Sequence, residues 1–241
     1  MTCWDIPSLR KHVAGCENKD TGQLQKAAAE WLKASARNRI DYEIEWLGIP
    51  IIQTAEDIVL MQELVFKLQP DLIIETGVAH GGSLIFYASL FEIFGKGQVI
   101  GIDIDIREHN RGVIEAHPLF KRIKLIQGDS TSEEVISKIR EFVPQDPNVI
   151  VCLDSNHYKE HVLKELMLYR QFVNTGSYIV VFDTATSALA DSGVCDESYR
   201  NNGPMEAICD FLKVDNDFVI DKEFNKLYTS MSHNGYLKRI K

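Results

Sequence analysis

Several features that would classify this chain at once are missing from it. No apolar run approaches the length of a membrane span, which sets a bilayer-crossing protein aside. Cys-x-x-Cys does not occur, and the five cysteines (Cys3, Cys16, Cys152, Cys195, Cys209) are odd in number. That pattern argues for reduced thiols against a disulfide frame or a zinc site. Lys and Arg are scattered in clusters as short as Lys121-Arg122 and Lys238-Arg239, and the net charge is −9, so no basic stripe can track phosphates. A nucleic-acid partner is therefore disfavoured. The opening residues, Met1 to Pro7, have neither the basic nor the apolar region of a secretory leader. Repeats and low-complexity linkers are absent as well. What remains is 241 residues, 45% hydrophobic and 25% charged, the profile of one ordinary globular domain with a sizeable core. We expect a soluble cytoplasmic protein.

The dinucleotide fingerprint G-x-G-x-x-G is also missing. In its place stands Leu72-Ile-Ile-Glu-Thr-Gly-Val-Ala-His-Gly-Gly-Ser83, an apolar run ending in Glu75, a G-x-x-x-G-G turn (Gly77, Gly81, Gly82), and Ser83 opening an apolar helical segment. Glycines let such a turn adopt positive φ and let backbone approach a ligand. The following helix offers unpaired N–H groups. A nucleotide-like cofactor is held this way at the carboxyl ends of the strands in a doubly wound fold. About 20 residues on, Gly97–Asp105 is a second strand-like run ending in Asp103 and Asp105, where an acid binds ribose hydroxyls in such folds. The local reading is an adenosine-type cofactor with no strong demand for a pyrophosphate cradle, Asp103 being the ribose ligand.

Strand and helix alternate from Pro70 onward. The pattern predicts strands at 72–75, 98–103, 122–127, 148–153, 177–182 and 217–223, and helices at 83–94, 110–116, 132–142, 159–173 and 204–212. Short apolar runs follow at Leu227–Ser230 and Gly235–Ile240 around a His233-Asn-Gly turn. Alternating βα units imply a parallel sheet, and the terminal return implies one antiparallel edge strand. We expect an α/β, Rossmann-like, doubly wound, mostly parallel seven-stranded sheet over residues 51–241. Residues 1–50 read as an N-terminal helical extension capping the sheet edge, or alternatively a lid or subunit contact. Its helix, Gln23–Ala36, carries Leu24, Ala28, Trp31 and Leu32 on one face, continued by Ser35. Thr54 is the expected cap of a helix ending at Leu68.

Two further strands end in carboxylates. Val149–Leu153 runs into Asp154-Ser-Asn-His157, and Ser177–Phe182 into Asp183-Thr184. In a parallel sheet both ends emerge beside the glycine turn, so Asp154 and Asp183 converge next to the cofactor. Two carboxylates there suit a hard cation such as Mg2+, which acidifies and orients a substrate hydroxyl. The bland alternative is that each Asp caps the element that follows it. His157 stands in the same loop as a base, metal ligand or substrate contact. His80, inside the glycine turn, is placed to touch the cofactor's amino-acid end or the substrate. His161 reads as structural, and His109 as shaping the pocket wall. Asp129 falls at the end of the third strand, where a loop contacts adenine, or else caps the helix near Ser132.

The stretches Glu75–Ser83, Gly101-Ile-Asp-Ile-Asp-Ile-Arg107 with His109-Asn-Arg111, Leu153–His157 with His161–Leu166, and Gly176–Thr184 resemble the cephalosporin hydroxylase family. Despite its name, that family has the class I S-adenosylmethionine-dependent methyltransferase fold. The resemblance runs from roughly Trp46 to the C-terminus. It implies O-methylation in antibiotic tailoring or on sugars of polysaccharides and glycosylated metabolites, homo-oligomers, and a Mg2+ site at the fourth and fifth strand ends. Carried over, Asp154 and Asp183 match two metal-binding acids, and Glu75, Gly77, Ser83, Asp103 and Arg107 match cofactor positions. Where a further carboxylate is expected before the second acid, this chain has Phe182, and His157, Asn156 or water are the candidates to fill its place. We expect an S-adenosylmethionine-dependent O-methyltransferase acting by in-line displacement, with Asp154 and Asp183 at the metal and His157 the leading base. Cofactor contacts are expected from Glu75, Gly77, His80, Gly81, Ser83, Asp103, Arg107, Asp129 and Asp154. Residues 185–202 form the expected acceptor lid. The rival readings are an antibiotic-tailoring enzyme, a non-catalytic cofactor-binding subunit and, on the same fold class, a nicotinamide-dependent oxidoreductase.

Overall fold

The computed structural model describes residues 20–145 and 147–241. The opening residues Met1 to Pro7, Cys3 and Cys16 lie outside them. Helix α1 (Thr21–Asn38) is capped by Asp20, whose carboxylate accepts from Gln23 N. It buries Ala28 and Ser35, while Leu24 and Trp31 of the expected apolar face are exposed and Leu32 is half-buried. Small residues permit the close approach here, and the large ones are left outside it. A short hairpin follows, β1 (Glu45–Trp46) and β2 (Ile49–Pro50). Helix α2 (Ala55–Leu68) opens on Thr54, which accepts from Asp57 N as expected, and closes at Gln69, in the left-handed region just before Pro70.

The main sheet holds β3 (Leu72–Thr76), β4 (Gln98–Asp103), β5 (Ile123–Gln127), β6 (Val149–Leu153), β7 (Tyr178–Val181), β8 (Phe218–Ile220) and β9 (Tyr236–Arg239). Their order is β5-β4-β3-β6-β7-β9-β8. β3 to β7 pair in parallel, with Glu75 opposite both Gly101 and Cys152. β3 and β6 are buried at every residue, as strands covered on both faces must be. The antiparallel strand is β9, inserted one place in from the rim between β7 and β8. β9 pairs with both β7 and β8, and Leu227–Ser230 is not a strand. Side chains hold that segment instead.

Helices α3 (Gly82–Phe94), α4 (Glu108–Ala116), α5 (Glu133–Phe142), α6 (Lys159–Tyr169), α7 (Thr186–Asp191) and α8 (Pro204–Val214) complete the layers. Each sheet face carries one apolar cluster, the first built around α2 and α3 and the second around α5, α6 and α8. The expected lid, 185–202, is partly helical: Leu189 and Ala190 of α7 are buried, and Ala185 N donates to Met231 O. The hairpin leans on α3, where Trp46 Nε1 donates to Ser89 Oγ at 3.1 Å and its ring meets Phe86 edge-on at 4.8 Å. A Cβ on Gly82 would fall 2.3 Å from Pro50 O, so only glycine lets the hairpin sit on the start of α3. Among the described residues no helix is long and apolar enough to cross a membrane.

Asp57 joins the two ends of the domain. It is 2% exposed and accepts from Thr54 Oγ1 (2.6 Å), Ser230 Oγ and Met231 N (3.0 Å). Asp57→Ala leaves buried donors unpaired on α2 and on the 230–231 segment and should cost about 3 kcal/mol. Chemical denaturation measures it, and a loss under about 0.5 kcal/mol would refute the tie.

Candidate active site

The strand order reverses between β3 and β6, and a crevice at such a switch point is where an α/β sheet binds ligands. Gly77 leaves β3 on one side and Asp154 leaves β6 on the other. The two segments touch: Asp154 N donates to Thr76 O at 2.9 Å, and a Cβ on Gly77 would fall 2.0 Å from Asp154 O. Gly77 also has φ +90°. Pro50–Gln53, Gly77–Ser83 and Asp154 line a small cleft that opens to solvent. Of the expected cofactor residues, Gly77, His80, Gly81, Ser83 and Asp154 line it.

The others stand around the cleft. Glu75 is fully buried beneath the turn, where Ser83 Oγ donates to it at 2.6 Å. Asp103, at the end of β4, accepts from Val78 N (2.9 Å), Ala79 N (3.3 Å) and Asp105 N (3.0 Å). It therefore shapes the turn. Arg107 is exposed where α4 begins, and Asp129 is exposed after β5. Asp129 accepts from Thr131 N and Oγ1, both at 2.8 Å, which hold its carboxyl below the usual range. Ser132, not Asp129, caps α5.

On the far side of the crevice, Asp154, His157 and Asp183 each offer one ligand atom, all within 4.8 Å of one another. His157 Nε2 is 3.4 Å from Asp183 Oδ2. Asp183 sits in the left-handed region with φ +56°, and its carbonyl accepts from Thr186 N (3.1 Å) and Thr186 Oγ1 (2.6 Å). Burial, then the neighbouring Asp183 and Glu75 charges, push the Asp154 carboxyl well above the carboxylate range. The 196–202 segment docks beside this cluster. Lys159 N donates to Asn202 O, and the Tyr158 and Tyr199 rings stack at 4.7 Å.

Three contributors are not assigned from the sequence. Gln53 is 7% exposed, its Nε2 lies 3.4 Å from Asp154 Oδ2, and its Oε1 has no partner. Asn110 Nδ2 donates to Ala79 O at 2.7 Å and fixes the turn from α4. Its spacing from the buried Ile114, four residues on, was the available signal. Asp41, in the helical turn after α1, comes close enough that burial and then the Asp183 charge raise its carboxyl. Asp41, Asp57, Glu75, Asp154 and Asp183 make this a carboxyl-rich region, in which burial raises the carboxyls of Asp41, Asp57, Glu75 and Asp154 above their ordinary range.

Comparison with known proteins adds an independent line. The family model described as Rhamnosyl O-methyltransferase/CmcI matches residues 38–240. A "Rhamnosyl O-methyltransferase" of Mycobacterium leprae is 30% identical over 237 residues, covering 94% of this chain and 95% of that protein. Its counterpart in Mycobacterium tuberculosis is 29% identical over 220 residues, 88% and 84% of the two chains. Among solved structures, CmcI with Mg and SAM superposes with a TM-score of 0.58 at 20% identity, covering 83% of this chain and 78% of that one.

Burial raises the Glu75 carboxyl to about 8, against roughly 4.3 for an unfolded glutamate. Between those values only the unfolded chain releases the proton. The contribution to stability is therefore complete below about pH 4 and declines by roughly 1.4 kcal/mol per pH unit up to about pH 8. Glu75→Gln keeps an acceptor for Ser83 and should remove one proton from the slope of unfolding free energy between pH 5 and 8. Equal slopes in variant and parent would contradict this assignment.

Proposed function

We infer the reaction from one premise: this chain belongs to the Rhamnosyl O-methyltransferase/CmcI family and is an S-adenosylmethionine-dependent O-methyltransferase. We propose that its acceptor is a sugar hydroxyl, on a deoxysugar such as rhamnose within a glycosylated metabolite or polysaccharide. The observation that carries this is the 30% identity, over nearly the whole of both chains, to a protein named for rhamnosyl O-methylation. The stacked Tyr158 and Tyr199 rings beside His157 support it, since aromatic faces suit sugar rings.

The donor is held at the glycine turn, with its adenosyl arm toward Asp103 and the loop at Asp129 and its sulfonium in the cleft. The surrounding carboxyls favour that positive sulfur. Asp154, His157 and Asp183 present the acceptor oxygen on the opposite wall, so the protein's main task is alignment of oxygen, methyl carbon and sulfur. As the O–C bond forms, the S–C bond breaks and the hydroxyl proton is accepted within the Asp154/His157/Asp183 set. The donor chemistry of that set, two carboxylates and an imidazole within reach of one point, fits a divalent cation. Such an ion would lower the hydroxyl pKa and orient the oxygen. The reading includes a homo-oligomer, measured directly by analytical ultracentrifugation, and the cytoplasm as the compartment.

The test is methyl transfer from S-adenosylmethionine to a panel of rhamnosyl and other deoxysugar glycosides, read as a methylated product by mass spectrometry. Asp183→Asn should lower turnover by about 10²-fold or more with the fold intact by circular dichroism. Unchanged turnover in Asp183→Asn would remove the cluster from the mechanism. Transfer to non-sugar hydroxyls alone would overturn the acceptor.

A further inference from the structure

The position before Asp183 decides which ion this site takes. A third carboxylate is expected there, but Phe182 occupies it and is 2% exposed, packed in the apolar cluster with Cys152, Val180 and Tyr236. It offers no donor atom, and no polar side chain fits that place without being buried in the core. The third ligand atom in reach belongs instead to His157. Two atoms bonded at about 2.1 Å to one ion, at near-right to tetrahedral angles, stand roughly 3.0–3.4 Å apart. The 3.4 Å separation of His157 Nε2 and Asp183 Oδ2 meets that requirement.

We propose that Asp154, His157 and Asp183 form a mixed carboxylate–imidazole site selecting a divalent first-row transition ion over Mg2+. The inference rests on the methyltransfer reading above and deepens it. Mg2+ is a hard ion that takes oxygen ligands and dehydrates reluctantly. Imidazole nitrogen suits transition ions, whose affinities for nitrogen-containing sites rise along the Mn2+, Fe2+, Co2+ series. Gln53 gives a second, independent pointer. Its buried Oε1 lacks a partner while its Nε2 rests on Asp154. A buried unpaired amide oxygen is costly, and a hydrated cation beside Asp154 would supply what it needs. With its ring nitrogen engaged by the ion, His157 is a ligand, not the base expected from the sequence. The acceptor's proton then passes to the carboxylate oxygen left free on Asp183, whose side chain is more exposed than that of His157, and on to water.

The experiment uses the whole chain with the bare ions. Calorimetric titration with MnCl2, CoCl2 and MgCl2 should show Mn2+ bound at least about tenfold more tightly than Mg2+, and Co2+ more tightly still. Electron-spin-echo spectra of the Mn2+ form should carry 14N modulation from a directly bound imidazole. His157→Ala should lose that modulation, and His157→Asp, an all-oxygen site, should bring the Mn2+ and Mg2+ affinities within about threefold of each other. The wild-type spectrum decides the matter even if a variant misfolds. Mg2+ bound as tightly as Mn2+, bound Mn2+ without 14N modulation, or no ion bound at all overturns the proposal. Failure of the sugar acceptor would instead appear as absent product in an enzyme whose Mn2+ spectrum is as described, so the two readings fail separately.

Discussion

Everything in this site depends on the approach of the Gly77 backbone to the carbonyl of Asp154. A side chain at Gly77 would overlap that carbonyl, so the crevice between β3 and β6 closes only with glycine there. The contact ties the glycine turn and the loop after β6 to neighbouring strands of one sheet. On the proposed mechanism, the separation of methyl carbon and acceptor oxygen is then set by hydrogen-bonded backbone, not by long side chains that would need to be immobilised. Since an error of about 1 Å in such an alignment can cost 10²-fold in rate, a rigid common support is the economical arrangement. Asp103 and Asn110 extend the same principle by holding Val78 and Ala79 from the neighbouring strand and helix.

Electrostatics adds the second constraint. Five carboxyls gather near one cleft, and burial raises those of Asp57, Glu75 and Asp154 above their ordinary range. A sulfonium donor and a divalent cation are both positive. On the proposed reading the donor product is a neutral thioether, and a carboxyl-rich cleft has less hold on it than on the donor.

Much of this was legible in the chain because a parallel sheet turns linear order into spatial order. Strands that end in Glu75, Asp103, Asp154 and Asp183 deliver those residues to one edge whatever the helices between them do. The glycine spacing was readable for the same local reason. Gln53 and Asp41 were not, since their neighbour across the site lies over a hundred residues away and neither sits at a strand end. The apolar face assigned to α1 misled because periodicity reports which residues align, and close packing can favour the small ones among them. The helix within 185–202 was hidden because its six residues are held by the burial of Leu189 and Ala190 and by the bond from Ala185 N to the Met231 carbonyl, not by local propensity. Phe182 was noticed as a departure, and its burial now gives that departure a physical meaning.

The left-handed backbone at Asp183 carries a consequence for how this scaffold can drift. Few residues besides glycine accept that conformation without strain, and aspartate and asparagine are foremost among them. An exchange of Asp183 for asparagine therefore keeps the turn, the Thr186 hydrogen bonds and the β7–α7 junction while deleting the charge. On the role proposed for Asp183, loss of chemistry and loss of architecture are uncoupled at this position. A lineage built on this fold can then fall silent as an enzyme and still persist as a well-folded protein.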